Sequence, residues 1–435
     1  MDLTEACLAQ IDDRLNAFRH VAQDAALCDA RRVEEAAGRG EPLGRLAGIP
    51  IAVKDNIEVA GMPITAGTRH LARGVPRADA PVTARLREAG AILLGKLHMS
   101  EWAIGATGHN VHFGPCRNAW DPARIAGGSS SGSGVAAASG MALVTLGTDT
   151  GGSARVPAAL NGVCGLRPSG GRVSNRGSVP VAWTFDAICP MARRAADVAE
   201  VLAVIAGYDA EDPASIQAPV DDYVEALDRG AERLRIGLLS GWWLDYPAAA
   251  VADTVRSAGA ALERAGAVVE EVELEGHAEA FEVTAELLLA EAAWFHRERL
   301  NEDPDMFAPD VRTRLERGAA ISGPRYGGAR QRQRIWRRRV LETLAGRDLL
   351  LAPACGIPAP LIDESDPLET TVALTRSISL WVLARMPVMA LPCGFVDGLP
   401  VGMQLIGRPL AEATVLQAAH AYQQVTDWHL RDPSR

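Results

Sequence analysis

The sequence is short of several things, and each shortage removes a class of protein. Only two of its 44 basic residues are lysines, Lys54 and Lys96; the rest are arginines. Basic residues are also outnumbered, leaving a formal net charge of −10, so a general nucleic-acid binder is not expected. No run of about 18 apolar residues occurs, so no membrane span is expected. The start, Met1-Asp2, turns amphipathic at once, with no basic segment leading into an apolar one. No secretory signal is therefore expected, and a cytoplasmic location follows. The seven cysteines are odd in number and widely spaced, and none forms a C-x-x-C pair. They read as reduced, mostly buried thiols, not as a disulfide frame or a zinc site.

What remains is a soluble globular composition, 48% hydrophobic and 23% charged over 435 residues. The lysine shortage also points somewhere. Arginine stays protonated in proteins, whereas a buried lysine can lose its proton and act as a base. A lysine kept against such a bias is a candidate for that work, which selects Lys54 and Lys96 together.

Residues 1–45 read as helices, with Leu8, Ile11, Leu15 and Phe18 at helical spacing. The run Ile49-Pro50-Ile51-Ala52-Val53 predicts a buried strand ending at Lys54. A helix over 79–90 feeds a strand at 91–95. Strands are predicted at 234–239, from 267, and at 349–353, 388–391 and 401–406. Helices are predicted at 249–265, 278–299, 370–384 and 411–427. This alternation predicts one α/β domain over 1–435, a three-layer α/β/α arrangement around a mixed, largely parallel sheet. No interdomain linker or internal repeat is found. The Gly/Ser-rich stretch 127–177 holds few charges and is broken by apolar runs, so it reads as closely packed backbone, not linker.

Two loops in that stretch carry the chemistry. The first is Gly127-Gly128-Ser129-Ser130-Ser131-Gly132-Ser133-Gly134. The second, Gly147-Thr148-Asp149-Thr150-Gly151-Gly152-Ser153-Ala154-Arg155, follows an apolar strand and can aim consecutive amides into one small volume, as an oxyanion hole requires. A phosphate cradle would need a lysine at the loop's end, and neither lysine is there. Residues 128–132 match G-x-S-x-G, which would make Ser130 the nucleophile with His420 or His429 as partner. A plain glycine turn is the remaining reading for one loop, and is harder to accept for two loops with an upstream lysine.

The chain resembles the amidase signature family along Gly48–Asn56, Gly95-Lys96, Glu101-Trp102-Ala103, Gly127 to Pro168 and Pro400–Gly407, and only loosely over 200–345. The resemblance implies an amidase signature fold and a Ser-Ser-Lys triad of Lys54, bridging Ser129 and nucleophile Ser153. It implies a cis peptide between Gly128 and Ser129, and oxyanion donors at Thr150, Gly151, Gly152 and Ser153. Asp149 and Arg155 would brace the loop. No cofactor or metal is implied. Residues 46–195 would be the catalytic core, 200–345 the substrate-determining region and 346–430 the C-terminal part of the core. Ser131, His98 and Arg167 depart from the family's usual Gly, Asn and Lys.

A serine hydroxyl needs an adjacent base. Lysine can serve only when neutral, which asks for a drop of about three pH units from its ordinary 10.4, worth ~4 kcal/mol. The expected activity is cleavage of a C–N bond in a small amide, ureido or carbamate compound. The stretch Gly108–Asn118 is most similar to members acting on ureido or carboxybiuret-type compounds. The alternatives are the glutaminase subunit of a tRNA-dependent amidotransferase and a catalytically dead scaffold, which the intact triad opposes. A homodimer stays open. Lys96 reads as a structural charge. His109 and His112 read as a polar pocket wall ahead of a metal pair, and the seven arginines from Arg325 to Arg339 as a solvated helix face ahead of an anion funnel. Trp242, Trp243, Trp294 and Trp336 read as core or pocket lining.

Overall fold

The computed structural model describes residues 1–71 and 74–433. Eleven strands form one sheet: β1 (Phe18–Val21), β2 (Pro50–Lys54), β3 (Ile92–Leu97), β4 (Val144–Asp149), β5 (Cys164–Arg167), β6 (Ala187–Ala192), β7 (Arg235–Leu239), β8 (Val268–Val272), β9 (Leu349–Pro353), β10 (Val388–Val396) and β11 (Leu399–Gly407). Their order is β1-β3-β2-β4-β6-β5-β10-β11-β9-β7-β8.

Most of these strands are buried along their whole length, which is why they appear in sequence as unbroken apolar runs. Successive residues face opposite layers. In β10, Met389 and Leu391 pack with the helices Ala195–Ile205, Ala249–Arg264 and Glu412–Gln424, while Ala390 packs with Ser131–Ala138 and Arg155–Asn161. The three-layer mixed fold is as predicted. Its parallel character, however, is confined to the flanks β3-β2-β4 and β9-β7-β8; every pair between β4 and β9 is antiparallel. Short returns in the centre, such as the Val396–Leu399 turn, join antiparallel neighbours without a crossover helix.

The N-terminal segment is a correction. Residues 1–45 are not all helix. The first helix stops at Ala9, Asn16 takes a left-handed φ of 51°, and β1 follows before the helix Gln23–Gly38. The left-handed residue breaks the apparent helical period between Leu15 and Phe18. The expected helix over 370–384 is likewise two pieces, Pro367–Thr375 and the 3-10 turns of Ser379–Ala384. No helix among the described residues is long and apolar enough to cross a membrane.

Candidate active site

β2 and β4 are parallel neighbours, and Lys54 and Thr148 stand near their C-terminal ends. Lys54 is fully buried. Its Nζ donates to Ser129 Oγ at 2.8 Å and to Thr148 Oγ1 at 2.7 Å, so among the described residues only hydroxyls serve it. Burial lowers its pKa to about 7, against a pull upward from Cys189, Asp149 and Asp186. That pull is limited: burial pushes the Cys189 thiol well up, leaving it uncharged near neutrality, and Asp149 is matched by arginine.

Ser129 follows the cis bond from Gly128 and is fully buried. A Cβ on Gly128 would sit 2.7 Å from Ser100 Oγ and 2.9 Å from the Gly108 amide, so the approach of these backbones requires glycine. Ser130 ties the two loops together. Its amide donates to the Ser153 carbonyl (3.0 Å), and its hydroxyl donates to the Thr148 carbonyl and accepts from the Thr148 amide. That fully buried, fully engaged hydroxyl removes Ser130 as a nucleophile. His420 contacts Gln424 and feels Asp228, and the charges around His429 are Arg194, Arg193, Asp427 and His420.

Ser153, by contrast, is partly exposed at the start of the turn into the helix Arg155–Asn161. No hydrogen bond links its hydroxyl to that of Ser129 among the described residues. Such contacts commonly tighten only when substrate binds.

Asp149 organises the loop. Its carboxylate accepts from the Gly152 amide (2.9 Å) and from Arg155 Nε and Nη2 (both 3.0 Å). Arg167 donates to its carbonyl. Burial alone would raise the Asp149 pKa, but the Arg155 and Arg167 guanidiniums more than offset this and hold it well below the carboxylate range. Arg155 also reaches Gln404 Oε1 on β11 at 3.0 Å, tying the loop to the central strands. Gly152, with φ +120°, gives its N–H to Asp149 and is thereby corrected as an oxyanion donor. The amides of Thr150, Gly151 and Ser153 meet no protein acceptor among the described residues.

Two members of the site escaped the sequence reading. Thr148 lies inside the quoted loop, but nothing local in the sequence sets it beside Lys54, 94 residues away. Asp186 precedes β6 and accepts from Thr150 Oγ1 (2.5 Å) and the Val181 and Ala182 amides. Burial pushes its pKa up to about 6; nothing local in the sequence marks it.

The other candidates resolve separately. Lys96 is buried, 3.3 Å from Asp55 and donating to the Ile57 carbonyl. His112 contacts Glu101 at 2.7 Å and His109 contacts Thr107. No group of three or more His, Cys, Asp or Glu among the described residues could hold a metal ion. His98 is buried beside the Gly114 carbonyl, and burial lowers its pKa to about 4. Trp243 and Trp336 are core, whereas Trp294 is exposed beside exposed Trp183. The helix His277–Glu302 passes over the loop: a Cβ on Gly151 would lie 3.2 Å from Leu288.

The Amidase family model matches residues 2–416. A glutamyl-tRNA(Gln) amidotransferase subunit from Chloroflexus aurantiacus is 39% identical over 463 aligned residues, covering 100% of this chain and 94% of the relative. A structure of a vestigial protein complex bearing on the origins of an s-triazine catabolic enzyme is similar with a TM-score of 0.92 and 35% identity, covering 97% and 94% of the two chains. Native peptide amidase from Stenotrophomonas maltophilia is similar with a TM-score of 0.85 and 34% identity, covering 97% and 93%. Matched along nearly its whole length, this chain belongs to the amidase signature family and is a carbon–nitrogen hydrolase.

Proposed function

We propose that the chain works through an acyl-enzyme on Ser153, with neutral Lys54 as base and Ser129 as relay. The observation carrying this is the Lys54 amine, wholly buried and served only by hydroxyls, with its pKa lowered by burial to about 7. Lys54 accepts the Ser129 proton while Ser129 accepts that of Ser153. Ser153 Oγ bonds to the substrate carbonyl carbon, and the amides of Thr150, Gly151 and Ser153 hold the resulting oxyanion. The proton passes back through Ser129 to the leaving nitrogen as the C–N bond breaks. Water, deprotonated by the same relay, then releases the acid. Asp149 and Arg155 hold the loop in shape and transfer no proton. A serine-directed fluorophosphonate is expected to label Ser153, and labelling to fall sharply in Lys54→Arg. Unchanged labelling in that variant would overturn the scheme.

The substrate-determining role falls to residues 200–345, supported by Leu288 lying over Gly151. Two substrate readings share the chemistry. A small amide, ureido or carbamate compound is supported by the likeness to peptide amidase and to the s-triazine-related complex. Glutamine, taken by the glutaminase subunit of an amidotransferase with partner subunits, is better supported, by glutamyl-tRNA(Gln) amidotransferase relatives that match over nearly the chain's full length. Ammonia release by the purified chain separates them. Turnover of a small amide at least a hundredfold faster than glutamine, with no partner present, would sink the amidotransferase reading.

A further inference from the structure

The arginine-rich helix Gly323–Thr343 is not a uniformly solvated face. Arg325 and Arg332 pair with Glu286 (2.8 and 2.6 Å), Arg338 pairs with Glu342 (3.1 Å), and Arg339 donates to the Glu275 carbonyl. Arg330, Arg334 and Arg337 pair with no carboxylate among the described residues, and of these Arg330 and Arg337 act on Arg385. Seven residues apart, they share one helix face. Between them Gln333 Nε2 donates to the Leu383 carbonyl (2.8 Å) and Trp336 Nε1 to the Leu380 carbonyl (3.0 Å). These bonds dock the face on the turns of Ser379–Ala384, which end at Arg385.

Three arginines thus stand on two docked elements. None has a carboxylate partner among the described residues, and Arg330 Nη1 is buried with no hydrogen bond. The acid nearest in influence is Asp212, whose oxygens already accept from the Ala214 and Asn175 amides (2.9 and 2.8 Å). Burial first, then the charges of Arg330 and Arg337, lowers the Arg385 pKa, and Arg385 Nη2 makes only a long bond to the Ala214 carbonyl (3.4 Å). Arg385 also holds a left-handed φ of 56°, where glycine is favoured. Residues held in such sparsely populated backbone regions cluster at ligand clamps and other functional sites.

We propose that Arg330, Arg337 and Arg385 form a binding site for a small polyanion carrying phosphate-type or paired carboxylate oxygens. The planar guanidinium fork suits both groups. The inference does not depend on the acyl-enzyme scheme.

The test is calorimetric titration of the whole chain at low salt, with inorganic phosphate in one series and succinate in another. Saturable binding is expected for at least one of them. Arg385→Gly suits the backbone angle and preserves the fold while removing one charge. It and Arg330→Gln are each expected to weaken binding about tenfold or more. Arg338→Gln, outside the cluster, is expected to change it less than twofold. Preference for phosphate or for succinate assigns the ligand's chemistry, and either supports the site. Failure of both anions to saturate overturns it. So does equal weakening by Arg338→Gln and Arg385→Gly, which would reduce the effect to general surface charge.

Discussion

Lys54 and Lys96 lie on neighbouring parallel strands and are both wholly buried, yet their surroundings are opposite in kind. In the β2–β3 register Lys96 stands across from Val53 and Lys54 from Leu97, so the two amines leave the sheet on opposite faces. Lys96 meets the Asp55 carboxylate and a carbonyl. Lys54 meets two hydroxyls and no carboxylate. Burial lowers the pKa of both amines, but at Lys96 the Asp55 carboxylate pulls it back toward the charged form, whereas the groups in contact with Lys54 are neutral hydroxyls. Burial alone therefore does not make a lysine a base. The partner set decides.

That contrast can be broken most sharply at Lys54. Lys54→Arg, which cannot be neutral, is expected to lower kcat by about 10³-fold or more in steady-state hydrolysis, on the scale of a lost general base. Near-normal turnover would dissolve the distinction.

Stability should move the other way. Lys96→Met leaves the Asp55 carboxylate buried and unpaired, and is expected to cost ~3–5 kcal/mol in denaturant unfolding. Lys54→Met strands no charge. Its folded pKa lies below the unfolded value, so its charged form costs stability below about pH 7, and that cost fades as pH rises toward the unfolded value near 10.4. Lys54→Met is therefore expected to stabilise, more at pH 6 than at pH 9. Equal losses for both methionine variants would mean the lysines play one role. In the wild type, kcat/KM is expected to rise with pH through about 7 as Lys54 loses its proton.

The smallest effect is reserved for Thr148→Val. Its hydroxyl accepts from the Lys54 amine and favours the charged form, so its loss is expected to move the acid limb of the pH profile to lower pH, with roughly tenfold lower kcat from looser positioning. An unmoved limb would remove Thr148 from the amine's environment.

Legibility followed local uniformity. The strand at 349–353 was readable residue for residue, because a fully buried strand is an unbroken apolar run. β5 was not, since Arg167 looks like a surface residue; it is buried only because the Asp149 and Phe185 carbonyls, far along the chain, accept its donors. β6 carries Cys189 and Pro190 and shows no clear period. Ser129, Ser153 and Lys54 stood out by motif and rarity, whereas Asp186 and the Gly152–Asp149 bond did not, because both depend on how the chain folds back.

Taken alone, the chain's residues determined its class, its layered α/β build and the pairing of Lys54 with Ser129, since apolar periodicity and a specific loop pattern are local properties. Only the tertiary structure decided which lysine is starved of counter-charge, which loop amides stay free and which arginines go unmatched. Each depends on long-range neighbours, and electrostatic cost in a dry interior is set by neighbours and not by residue type.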